Sequence, residues 1–122
     1  MKRDIDLVRK ILLEIESFPD FDGLNYVQVE GHSDQEVAYH IILLDEAGLI
    51  ETWGDMNLDG GMMSPKRLTW DGHEFLDAAR DDTRWNKAKA QLAGASAETV
   101  FFLLRQVLLE IIKSQVLPPA GF

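Results

Sequence analysis

Apolar residues recur at helical spacing from the start of the chain. Ile5, Val8, Leu12 and Ile15 form one row, widened by Leu7 and Ile11, which predicts an amphipathic helix over residues 4–17. Asp4 and Asp6 suit its positive N-terminal end, and Pro19 and Gly23 break the pattern. Residues 24–30 alternate instead: Val27 and Val29 on one side, Tyr26 and Gln28 on the other, the mark of a short strand. Ser33-Asp34-Gln35-Glu36 is a capping box that opens a helix to about residue 47. Val37, Ile41 and Leu44 are its inward row, supported by His40. Gly48 supplies the left-handed residue that stops it.

A hairpin follows. Residues 50–56 and 62–70 read as its strands, with Asp59-Gly60-Gly61 at the tip. Pro65 lacks a ladder donor, so the second strand lies on an edge or carries a bulge. Thr69 can cap a helix over residues 70–80 that buries Phe75, Leu76 and Ala79. Asp81 or Asp82 can cap another to residue 92, with Trp85, Ala88 and Leu92 on one side. A last helix, residues 97–116, is apolar nearly all round, yet Arg105, Glu110 and Lys113 interrupt it, which argues against a membrane span. The fold class is therefore α+β and mainly helical, with a small antiparallel sheet. The expected division is 1–92 as a core with its following helices, and 95–117 as a C-terminal apolar helix. That last helix completes the core or makes a dimer contact through Phe102, Leu109 and Ile112. A homodimer is the expected assembly, since monomers rarely leave large apolar patches open.

Charge narrows the functional classes. The net charge is −9, and no Lys or Arg occurs between residues 11 and 65. Nucleic-acid affinity rests largely on cations that displace phosphate counterions, so this composition speaks against a general nucleic-acid binder. With no Cys, thiol nucleophiles and Cys-ligated metals are excluded, and a cytoplasmic location is expected. His32, Glu36 and His40 are four apart, a spacing that could hold zinc. But Ser33 belongs in non-helical geometry, which spoils the register, so a loop His and a packed His are expected. His73-Glu74-Phe75-Leu76-Asp77 resembles a zinc-protease helix with the second His missing. No catalytic, cofactor or metal residues are assigned, and an enzyme is not expected. Met56, Met62 and Met63 surround the hairpin tip, where they suit either adaptable contacts or packing beneath the hairpin.

The order of helix, strand, helix ending in Glu46-Ala47-Gly48-Leu49-Ile50, hairpin, and Arg67-Leu68-Thr69-Trp70-Asp71-Gly72 opening a further helix resembles the winged helix-turn-helix class. More narrowly, three blocks make the chain similar to the bacterial and prophage family called domain of unknown function 2513. They are Met1-Lys2-Arg3-Asp4-Ile5-Asp6-Leu7-Val8, Tyr39-His40 with Ala47-Gly48-Leu49-Ile50, and Leu68 to Asp82 with Trp85. That resemblance implies a winged-helix-like core and a mobile-element setting, and no biochemical activity.

Two readings follow. A protein-interaction module on a winged-helix scaffold is favoured, because the would-be reading helix offers Asp34, Gln35, Ala38, Tyr39 and Ile42 where a groove reader carries Arg or Lys. The alternative is a sequence-specific DNA-binding regulator whose contacts are Lys66 and Arg67 of the wing.

Overall fold

The computed structural model describes residues 1–20, 23–53, 64–92, 105, 106 and 110. Among them are four helices of some length and one two-stranded antiparallel sheet, a mainly helical α+β arrangement: α1 (Ile5–Glu16), α2 (Asp34–Glu46), β1 (Ile50–Thr52), β2 (Pro65–Leu68), α3 (Trp70–Ala79) and α4 (Asp82–Gln91). The chain forms two compact units, Met1–Leu76 and Asp77–Phe122, whose boundary falls inside α3.

In the first unit, α1 packs on α2 and β2, and α2 packs on β1. Leu7, Val8, Ile11, Leu12 and Ile15 of α1 meet Val37, Ile41 and Leu44 of α2 in the core, with Leu49, Ile50, Leu68, Phe75 and Leu76. Local chemistry sets the helix ends. Asp4 caps α1 by accepting from the amides of Asp6 and Leu7. Both halves of the Ser33–Glu36 capping box form, and α2 runs unbroken to its C-cap at Ala47. Gly48 has φ 77°, the left-handed conformation that turns the chain into β1.

Ile50 pairs with Leu68, Glu51 with Arg67 and Thr52 with Pro65, which leaves Lys66 as the extra residue of a bulge. The missing amide of Pro65 is accommodated at this irregularity. The corner between α2 and α3 is tightly built. The Thr69 hydroxyl donates to the Gly48 carbonyl at 2.6 Å and accepts from the Gly72 amide at 3.0 Å. The Thr69 amide donates to the Leu49 carbonyl at 3.0 Å. A Cβ at position 72 would overlap that same Leu49 oxygen, so only glycine lets α3 start this close to the chain leaving α2.

One expected element differs. Residues 24–29 form no strand. The alternation survives, since Val27 is buried while Tyr26 and Gln28 are exposed, but there is no ladder. Tyr26 and Val27 lie beside Ser64 and Pro65, at the start of β2. Pro65 has no N–H to offer a third strand there, so burial is met by one side chain without pairing.

In the second unit, Asp81 caps α4 through the Arg84 amide, and Trp85 and Ala88 are buried. Lys89 lies 5.9 Å from the centre of the Trp85 ring. The hairpin tip, with Met56, Met62 and Met63, and the expected dimer residues Phe102, Leu109 and Ile112 lie outside the described residues. Of the expected last helix, Arg105, Gln106 and Glu110 are described, and they are helical.

Candidate interaction surface

The polar groups along α2 sort into two sets. On the core side, His40 is 1% exposed and both its ring nitrogens are engaged by backbone. Nδ1 lies 2.8 Å from the Glu36 carbonyl oxygen, which can only accept, so Nδ1 carries the proton. Nε2 then accepts from the Asp4 amide at 2.9 Å. One neutral imidazole thus ties the N-cap of α1 to the first turns of α2. The Tyr39 ring meets it edge-on, with centroids 5.7 Å apart. Glu36 is committed as well. Its Oε1 accepts from the Ser33 amide at 3.1 Å, and its Oε2 lies 3.5 Å from His32 Nδ1, within ion-pair range but without hydrogen-bond geometry. The Ser33 amide, and then His32, hold the Glu36 carboxyl below its ordinary value of 4.5. His32, Glu36 and His40 are therefore a cap and a tether. Among the described residues no group of three His, Asp or Glu side chains is placed to hold a metal.

The other set faces outward. Asp34 and Gln35 are exposed, and Ala38, Tyr39 and Ile42 are half-buried. The structure brings two of these five together in one cavity. Asp34 and Ala38 line a space of about 40 Å³ with Tyr26, Val27, Val37, Ile41, Ser64 and Pro65. Gln35, Tyr39 and Ile42 do not line it. Sequence reasoning missed Tyr26, which stands 75% exposed at the rim. The one signal for it was an aromatic between Asn25 and Gln28 in a run too short to bury both faces. Trp70 is likewise 78% exposed, its indole N–H donating to Glu74.

The two cations of β2 are both engaged. Lys66 Nζ lies 4.6 Å from the centre of the Trp53 ring. Arg67 pairs with the Glu51 carboxylate directly across the sheet and donates to the Leu68 carbonyl at 3.0 Å. A second, open cavity of about 590 Å³ lies at the start of α1, lined by Met1, Lys2, Arg3, Asp4, Ile5, Glu36 and His40. Its His40 and Glu36 are the tether and cap just described.

The model of the family described as hypothetical protein, domain of unknown function 2513, matches residues 2–98. The chain belongs to this family. A relative from Haemophilus influenzae, which bears the name uncharacterized protein, is 40% identical over 118 residues, covering 96% of this chain and 99% of its own. No solved structure matches. Within this member of domain of unknown function 2513, the residues that carry the resemblance have structural work. Asp4 caps α1 and receives His40, Gly48 turns the chain, and Thr69 and Gly72 lock the α3 corner. Among the described residues no helix is long and apolar enough to cross a membrane.

Proposed function

We propose that the chain is a non-catalytic protein-interaction module on a winged-helix scaffold, working in the cytoplasm, with the outer side of α2 as its contact surface. One observation carries this reading: Lys66 and Arg67, the two cations on which the DNA-binding alternative relies, are engaged within the fold, and α2 offers none. Arg67 is neutralised by Glu51 across the sheet, and Lys66 sits over Trp53. Phosphate contacts would have to break or share these arrangements, while Asp34, Asp45 and Glu46 on α2 would repel the duplex. Tyr39 and Ile42, half-buried beside exposed Gln35, supply the apolar and aromatic area that protein contacts use. The lack of Cys fits a reducing compartment. Position 39, replaced by a photo-crosslinking benzoylphenylalanine in the native host, tests the reading. A protein adduct that survives nuclease treatment is expected. Adducts only to DNA, or adducts lost with nuclease, would overturn it in favour of the regulator reading.

A further inference from the structure

Asp34, Ala38 and Ile41 lie on one stripe of α2, at the i, i+4, i+7 spacing. The stripe continues through Asp45, about three turns from Asp34 and ~16 Å along the axis at the usual helical rise. Between the two carboxylates it carries Ala38, half-buried, and Ile41, which is buried but lines the cavity. Across the stripe, Tyr26, Val27 and Pro65 form the opposite wall of the cavity. At about 40 Å³ the space takes the end of one small side chain. Sites for metabolites and cofactors run to roughly 300–1,000 Å³. The shape is that of a notch for a polypeptide side chain.

The charge around the notch is one-sided. Among the described residues neither Asp34 nor Asp45 has an ion pair or side-chain hydrogen bond. No Lys or Arg occurs between residues 11 and 65, and the cations just beyond are engaged by Trp53 and Glu51. We infer that this groove docks a short extended segment of a protein partner that carries one apolar side chain between two basic residues. The apolar side chain enters the notch, and the basic residues meet Asp34 and Asp45. The carboxylates' separation along the helix corresponds to about five residues of extended chain. Cationic flanks make the partner complementary and speed encounter, so affinity falls as salt rises.

This inference rests on the protein-interaction reading and sharpens it to one edge of α2. The test is selection of a phage-displayed random peptide library on the full chain, followed by amide-shift mapping with the enriched peptides. Enriched peptides carry an apolar residue bracketed by Lys or Arg, and they shift the amides of Tyr26, Ala38 and Ile41. Asp34→Asn and Asp45→Asn each weaken binding about threefold, and the two together about tenfold, as expected for rim charge pairs. Ala38→Lys abolishes binding with its thermal midpoint checked by circular dichroism. No enrichment, enrichment of peptides without cations, or binding unchanged in the Asp34→Asn/Asp45→Asn variant would overturn the groove assignment. Loss of binding on Tyr39→Ala alone would overturn it too, while leaving the broader α2 reading intact. The crosslink at position 39 decides that broader reading independently.

Discussion

The two sides of α2 hold similar residue types in opposite circumstances. On the inner side, His40, Glu36 and their partners Asp4 and Ser33 are spent on backbone groups. On the groove side, Asp34 is exposed and lines the notch, and Asp45 is half-exposed further along the same stripe. Of the two histidines and the glutamate at helical spacing, His40 ties α1 to α2, Glu36 caps α2, and His32 lies beside the Glu36 carboxylate. The plainer groove side, with two carboxylates and an alanine, is where we propose that a partner docks. Changes on the inner side should therefore cost stability, and changes on the groove side should cost binding.

The sharpest break is at the α3 corner. Gly72→Ala forces a methyl group onto the Leu49 carbonyl, and since that neighbour is backbone, the corner must shift. A loss of about 2–3 kcal/mol is expected in urea unfolding, the range for overpacking in a rigid site. His40→Ala should cost about 2 kcal/mol, because it leaves the part-buried Asp4 amide without its acceptor and removes a buried ring between α1 and α2. Hydrogen exchange at the start of α1 should rise in the same variant.

A smaller effect sharpens the contrast through pH. The folded state holds the Glu36 carboxyl below its ordinary value. Its ionised form is therefore favoured in the folded chain. Its contribution to stability is present above the ordinary carboxylate value and is lost as pH falls through the lowered one. The unfolding midpoints of the wild type and Glu36→Gln should differ at neutral pH and converge in acid. A gap that persists unchanged at low pH would mean the charge of Glu36 is irrelevant to the cap. Smallest of all, Gln35→Ala and Asp45→Asn should move stability by no more than about 0.5 kcal/mol, as surface substitutions do.

Local features of this fold were legible in the sequence, and distant pairings were not. The capping box, the Gly48 stop and the Asp81 cap each depend on residues within four positions, so the chain announces them. The His40–Asp4 tether joins residues 36 apart, and no pattern of spacing reveals it. The groove was half legible. Periodicity placed Asp34 and Ala38 away from the main apolar row, but the opposite wall comes from Tyr26 and Pro65, brought alongside only by the fold. Alternation over residues 24–30 correctly indicated that Val27 turns inward, yet it could not report that β2 begins with a proline and offers no third-strand ladder. Lys66 and Arg67 could be read as free cations because their partners Trp53 and Glu51 lie across the hairpin.

On the proposed reading, the cation-free face of α2 meets a protein and not duplex DNA. Selection from a pool of fragments of the host genome, near physiological salt, tests that most directly. No sequence-sharing enrichment is expected, with residual retention that Lys66→Ala/Arg67→Ala leaves unchanged. Enriched fragments with a common sequence, bound tightly by the wild type and released by that double variant, would contradict it.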